Sequence, residues 1–424
     1  MNAPDYHGRE AAPTDLEPRV FLGGRVTLYP GDCMDALASL PENSIDSAVM
    51  DPPYHLTSIV DRFGKDGAAE AKSGRTGAFK RASAGFMGKA WDGGDIAFQI
   101  ETWRQVLRVL KPGGYILAFA STRGFWRMSV AIEDAGFITH PLIAWVFGSG
   151  FPKATRLKAD GYDGWRYGGQ ALKPAIEPIY MGQKPFSEKT GTANVLKHGT
   201  GAVNIDGCRV PTDETITATR SIALGSSGAG VFGAAKVPGV YEQKEGGRWP
   251  ANLIHDGSDE VVAAFPQTES GTGAIKRDTG ADRNGNTGVA YGCESRPAGT
   301  EMIGYGDAGN ASRFFYSAKA DADDRIGSRH PTVKPVDLMR YLVRLVTPPG
   351  GTVLDCFAGT GTTGEAAWRE GFNAVLIERE PEYQADIAER MRLCLSGTDE
   401  KKREIIKRRG LVDENAGPLF GSVK

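Results

Sequence analysis

Two short stretches of the chain carry residue types that could do chemistry. Asp51-Pro52-Pro53-Tyr54 sets a carboxylate first and an aromatic last around two prolines. Proline has no N–H and fixes its own φ. The Asp51 carboxylate and a rigid backbone carbonyl can therefore both accept N–H bonds and aim a nitrogen lone pair, while the Tyr54 face stacks on an extruded base. The set suits chemistry on an exocyclic amine. Gly359-Thr-Gly-Thr-Thr-Gly364 matches G-x-G-x-x-G, a pattern that lets backbone approach a ligand and opens a helix whose N–H groups can meet an anionic group. Glu378, at the end of the next strand, can accept hydrogen bonds from two ribose hydroxyls. By itself the pattern leaves open a dinucleotide and S-adenosylmethionine.

Regular elements must hold these groups. Arg25-Val-Thr-Leu-Tyr29 is β-prone and hands over at Gly31-Asp32 to a short helix over 34–39. The strand over 47–50 ends at Asp51, because proline supplies no ladder donor and forces the preceding residue out of the α region. Trp103, Val106, Leu107 and Leu110 recur at helical spacing over 99–110, and Lys111-Pro-Gly-Gly114 stops that helix. A strand over 115–120, a helix over 125–135 and a strand over 142–147 continue the alternation, which predicts an α/β domain with a mainly parallel sheet. The rhythm returns near the C-terminus. Leu338, Leu342 and Leu345 mark a helix, 352–355 a strand, Ala366 to Trp368 a helix ending at Gly371, 373–377 a strand, and 381–395 a last helix. Between them lies a glycine-dense stretch, read as an inserted recognition module with long loops. The expected division is a flexible tail at 1–19, α/β halves at 20–155 and 311–398, the insert at 156–310, and a charged tail at 399–424.

Composition narrows the partners. With 50 basic against 52 acidic residues among 424, the net charge of −2 excludes a uniformly basic nucleic-acid-binding surface. Positive charge is local instead. Lys65, Lys72, Arg75, Lys80, Arg81 and Lys89 interleave with Phe79, Phe86 and Trp91 directly after the Asp51 box, and Lys153, Arg156 and Lys158 form a second cluster. Such loops suit phosphate contact and base extrusion. Cys33, Cys208, Cys293, Cys356 and Cys394 include no C-x-x-C pair, which argues against a disulfide framework or a structural zinc site and fits a reducing compartment. No segment approaches the roughly eighteen apolar residues of a membrane span. A soluble, cytoplasmic protein without a metal is expected.

Taken with Gly31-Asp32, His330-Pro-Thr-Val-Lys-Pro335 and Ile377-Glu378, the Asp51–Tyr54 and Phe357–Gly361 motifs occur in an order that resembles β-class DNA amino-methyltransferases, in which a DPPY box precedes an FxGxG box. The likeness covers roughly residues 24–155 and 311–395. It implies a circularly permuted, Rossmann-like S-adenosylmethionine-dependent methyltransferase fold with the catalytic half first and the cofactor half last. It implies Asp51, Pro52, Pro53 and Tyr54 as the catalytic box. It further implies Asp355, Phe357, Ala358, Gly359, Thr360 and Gly361 along the methionine side of S-adenosyl-L-methionine, Glu378 on its ribose and Asp32 near its adenine, with Thr332 and Lys334 packed against the methionine portion. Arg75, Lys80, Arg81, Lys89, Lys153 and Arg156 become candidate contacts to double-stranded DNA.

Asp as the first residue of the box resembles N6-adenine enzymes more than N4-cytosine enzymes. Cytosine C5 chemistry needs an activated cysteine; no Pro-Cys dipeptide occurs, and Cys356 reads as a small buried residue. A homodimer and a cognate restriction endonuclease stay open as partners. Of the competing readings, an NAD(P)-dependent oxidoreductase leaves the Asp51 box unexplained, and an idle DNA-binding protein leaves its intactness unexplained. RNA or a protein glutamine could satisfy much the same site.

Overall fold

The computed structural model describes residues 17–54, 95–212, 217–223, 236–242, 247–269, 275–276, 301–302, 308–318, 321–328, 330 and 332–413. The chain divides into two compact units. The first comprises Met1–Cys208, Asn252–Ser258 and Ser317–Lys424, the second Arg209–Ala251 and Asp259–Tyr316.

In the first unit the chain runs through β1 (Arg19–Phe21), β2 (Val26–Pro30), α1 (Cys33–Ser39), β3 (Ile45–Met50), α2 (Ile100–Val109), β4 (Leu110–Phe119), α3 (Phe125–Asp134) and β5 (Ile138–Val146). The hairpin β6 (Lys153–Arg156) and β7 (Arg166–Gln170), then β8 (Ile176–Gln183) and α4 (Gly191–His198), follow. The second unit holds the antiparallel pair β9 (Thr217–Ala223) and β10 (Lys236–Glu242). Further on come β11 (Leu253–His255), α5 (Asp259–Ala264), β12 (Gln267–Glu269), β13 (Ile275–Lys276), β14 (Glu301–Met302), β15 (Ala308–Asn310) and β16 (Tyr316–Ser317). The last described elements are α6 (Val336–Val346), β17 (Thr352–Asp355), α7 (Thr362–Arg369), β18 (Asn373–Glu378), α8 (Pro381–Cys394) and α9 (Thr398–Asp413).

The main sheet has the order β1-β2-β18-β17-β3-β4-β8-β5-β11-β16. From β2 to β4 every neighbouring pair is parallel, as the alternation of strands and helices requires. β8 runs antiparallel between β4 and β5, and β11 lies parallel to β5. All six residues of β3 are buried, as befits a parallel strand covered on both faces. Successive side chains alternate between faces. Ala48 and Met50 join Leu37, Trp103, Val106 and Ile132 in the core that α1, α2 and α3 cover. Ser47 turns the other way and its hydroxyl bonds the Thr347 hydroxyl at 2.8 Å, just past α6. The junction of β3 with its neighbours is pinned by buried Asp46. Its Oδ1 pairs with Lys111 Nζ at 2.6 Å, and its Oδ2 accepts the Thr352 N–H at 2.8 Å.

Several boundaries depart from the sequence reading. Lys111–Gly114 do stop α2, but Leu110 already pairs with Ile45, and the ladder resumes at Tyr115 opposite Ser47 after a local excursion. The division expected at residue 156 is corrected to one after Cys208, because β8 enters the middle of the main sheet. The segment expected as a charged tail from 399 is helical to Asp413. Ile405 is fully buried there, and Arg408 pairs with Asp386 at 2.6 Å. No helix among the described residues is long and apolar enough to cross a membrane.

Candidate functional site

The C-terminal ends of the parallel strands deliver the chemistry-bearing residues to a cavity of about 1510 Å³ within the first unit. This is the edge at which open α/β sheets hold ligands. Asp51 to Tyr54 leave β3, Asp355 to Thr360 leave β17, and Glu378 ends β18; all line this space. Asp32 lines it too, with its Oδ1 accepting the Met34 N–H at 2.9 Å as the cap of α1.

Glu378 is anchored by two backbone donors. Its Oε2 accepts the Gly359 N–H and its Oε1 the Glu380 N–H, both at 2.8 Å. Burial pushes its carboxyl up to about 7 against the pull of those bonds. Asp355 is also buried and is pushed up to about 7, although its Oδ1 accepts from Phe357 N–H at 3.0 Å and its Oδ2 from the Thr363 hydroxyl at 2.5 Å. Gly359 sits at φ +52°, where a side chain is strained, and a Cβ there would stand 3.2 Å from His330 Nε2. His330 is buried, which lowers its pKa, and its Nδ1 accepts the Thr332 N–H at 3.3 Å. Phe357, Ala358, Thr360 and Thr332 face the cavity with these groups. Gly361 does not line it. Its φ of +79° starts α7, and a Cβ would meet Ile387 Cγ1 at 3.0 Å, so this glycine lets α7 pack closely on α8.

Lys334 lines the same cavity, but its hydrogen bonds run to the Asp51 box. Nζ lies 2.7 Å from Asp51 Oδ2 and 3.0 Å from the Tyr54 hydroxyl. Glu177, at the start of β8, completes the cluster, 3.2 Å from Lys334 Nζ and accepting from the Tyr54 hydroxyl at 3.3 Å. Burial pulls the Lys334 ammonium down, yet the two carboxylates outweigh it and its pKa stands above the ordinary lysine value. Burial, then the nearby Asp51 and Glu177 charges, push the Tyr54 hydroxyl well up, which keeps it a donor. Asp51 Oδ1 is buried and has no hydrogen-bond partner among the described residues. No sequence signal marks Glu177: it belongs to no motif, and its partners are remote in the chain.

Lys153 also borders the cavity, while Arg156 projects from the same strand, exposed. The hairpin they begin exposes aromatic rings, with Trp165 64% and Tyr167 50% exposed, and Tyr162 packs edge-on to Trp165 at 5.9 Å. Arg75, Lys80, Arg81 and Lys89 lie outside the described residues. Cys356 is buried against Met50, 3.5 Å from its sulfur, and burial pushes its thiol well up, which suits packing rather than nucleophilic attack.

The donor set fits a nucleoside with an attached amino acid. Carboxylates held by backbone N–H groups retain lone pairs for hydroxyls, and the cavity offers apolar contact at Phe357 and Ile377 as well as room. A family model described as DNA methylase matches residues 45–390. The chain is 28% identical over 207 residues to the Type II methyltransferase M.HindIII of Haemophilus influenzae, covering 42% of this chain and 64% of that protein. It is 48% identical over 54 residues to the Type II methyltransferase M.BglI of Bacillus subtilis, covering 13% and 16%. The matches thus span less than two thirds of either relative. Among solved structures, the cytosine-N4-specific PvuII DNA methyltransferase aligns at 15% identity and a TM-score of 0.42, covering 91% of this chain and 93% of that one.

Proposed function

The chain belongs to the DNA methylase family, and from that premise we propose that it methylates the exocyclic N6 amine of adenine in double-stranded DNA. S-Adenosyl-L-methionine, the family's cofactor, supplies an electrophilic methyl group when bound. Glu378 would hold its ribose, Asp32 its adenine side, and Asp355, Thr332 and the 357–360 turn its methionine side.

The observation that carries the reading is Asp51, which lines the cavity that Glu378 also lines and whose buried Oδ1 lacks a partner among the described residues. An unmet buried acceptor costs about 1–3 kcal/mol, so it favours an incoming donor. Asp51 Oδ1 and the Pro52 carbonyl accept the two amine N–H groups and turn the nitrogen lone pair outward. The Tyr54 ring, held at its hydroxyl, offers a face to the extruded base. The Asp51 charge stabilises positive charge developing on nitrogen, so no proton need leave first. The β6–β7 hairpin supplies Lys153 and Arg156 to phosphates and Trp165 as a stacking platform, alongside Arg75, Lys80, Arg81 and Lys89.

Expression in a host lacking the modification, followed by sequencing that separates N6-methyladenine from N4-methylcytosine, tests this reading. N6-methyladenine at one motif, lost in Asp51→Ala while cofactor binding persists, is the expected result. N4-methylcytosine would reassign the acceptor. Unmodified DNA despite soluble expression refutes the activity. A cognate endonuclease cutting the same motif extends the proposal, and cleavage of unmodified but not modified DNA by a co-encoded nuclease tests it.

A further inference from the structure

The two oxygens of the Asp51 carboxylate meet different surroundings. Oδ2 is 2.7 Å from Lys334 Nζ, whereas Oδ1 is buried without a partner among the described residues. The lysine is itself clamped. It is only 5% exposed, its Nζ lies 3.2 Å from Glu177 Oε2, and it stands 4.8 Å from the centre of the Phe119 ring. We infer that Lys334 and Glu177 form a positioning pair that seizes Asp51 by Oδ2 and so presents Oδ1 alone to the amine of the target base. The inference rests on the amino-methyltransferase reading and replaces the cofactor contact expected of Lys334.

Geometry and charge both require the pair. A carboxylate held at one oxygen cannot swing about its terminal torsion, which is otherwise broad, so the direction of Oδ1 is set before the base arrives. Lys334 alone would cancel the Asp51 charge where the reacting nitrogen needs it. Glu177 restores one net negative charge to the cluster, and the Tyr54 hydroxyl ties the same carboxylate to the ring that stacks on the base. Preorganised charge of this kind acts on the developing cation rather than on binding.

The test compares Glu177→Gln, Lys334→Met and the double variant with wild type, using unmodified genomic DNA and radiolabelled S-adenosylmethionine. Calorimetry gives the cofactor Kd of each protein, and thermal melts check folding. Glu177→Gln keeps the shape of the side chain and its acceptor for Tyr54. Each single variant is expected to lower kcat by about 10- to 1,000-fold, the range for losing one preorganised electrostatic group, with cofactor Kd changed less than twofold. Lys334→Met leaves two facing carboxylates, whereas the double variant returns the cluster to one negative charge. The double variant should therefore be faster than Lys334→Met alone, a recovery that mere structural damage does not produce. Weakened cofactor binding in Lys334→Met with kcat intact at saturation would overturn the inference, as would a double variant no faster than that single one. Loss of the folded melt in Glu177→Gln would also overturn it, since an isosteric change at a positioning residue leaves the fold standing. A wild-type protein that methylates no DNA removes the parent reading; an active wild type with unimpaired single variants removes only the pair.

Discussion

Cofactor affinity should depend on pH through Glu378. The side chain spends one lone pair of each oxygen on the Gly359 and Glu380 N–H groups at 2.8 Å, leaving one per oxygen for ribose hydroxyls. Protonation removes part of that capacity. With the carboxyl pushed by burial to about 7, the ionised fraction is about nine tenths at pH 8 and about one tenth at pH 6. If binding requires the carboxylate, the cofactor Kd rises about tenfold over that interval, about 1.4 kcal/mol. Glu378→Gln should bind more weakly at pH 8, and the gap between the two proteins should shrink by about the same factor on going to pH 6. Comparing the two proteins cancels any titration of the ligand itself. Calorimetric titration with S-adenosylmethionine at pH 6, 7 and 8 and constant ionic strength measures both curves. A gap that stays constant across the interval refutes the reasoning and moves the titration elsewhere, with Asp355, also near 7, the next group to replace. Linkage to folding runs the other way. A raised carboxyl pKa contributes stability to the cofactor-free protein that is fully present below the unfolded value near 4 and lost as pH rises through about 7.

Arg390 is 1% exposed and pairs with Glu365 at 2.7 Å, while its Nε bonds the Thr360 carbonyl at 2.7 Å. Arg390→Met removes one of three cations around buried Glu365, which keeps Arg369 at 2.7 Å and Lys401 at 3.1 Å, and leaves the Thr360 carbonyl without that donor; it should lower stability in urea melts by about 1–3 kcal/mol. In the wild type, Glu365 is held down to about 2 because the charges of Arg390, Lys401 and Arg369 outweigh its burial. Its contribution to stability is thus present above its ordinary value near 4.5 and disappears as pH falls toward about 2. On the hairpin, Arg156→Ala should weaken DNA binding and reduce the salt slope measured by fluorescence anisotropy by about one unit; an unchanged slope would place the phosphate contacts elsewhere.

Local patterns in the chain revealed most of the elements around the site. The 3.6-residue spacing of Leu338, Leu342 and Leu345 belongs to α6, and the apolar run into Asp355 is β17 as expected. Asp51 stands at a strand end because two prolines follow it, a covalent constraint visible in four letters. β8 was hidden for the opposite reason. Ile176–Gln183 contains Pro178 and Gly182, which weaken any strand pattern, and its strand state comes from neighbours on both sides in the sheet. Glu177 could not be paired with Lys334 from sequence, since nothing local joins them. Charge dominates the composition of α9 and gives it the pattern of a tail, whereas buried Ile405 shows how the helix docks.

The sheet order has a consequence for how the protein is made. β2 ends at Pro30 and β3 begins at Ile45, yet β17 and β18, synthesised after every other strand among the described residues, lie between them. While the ribosome is still adding the second unit, the first strands carry open hydrogen-bonding edges with no permanent neighbour. Such edges pair with other chains when left waiting. Closure of the sheet therefore waits for Glu378 to emerge, so prematurely terminated chains should aggregate rather than fold. Cutting the gene within the insert should yield two halves, each insoluble alone and soluble when produced together.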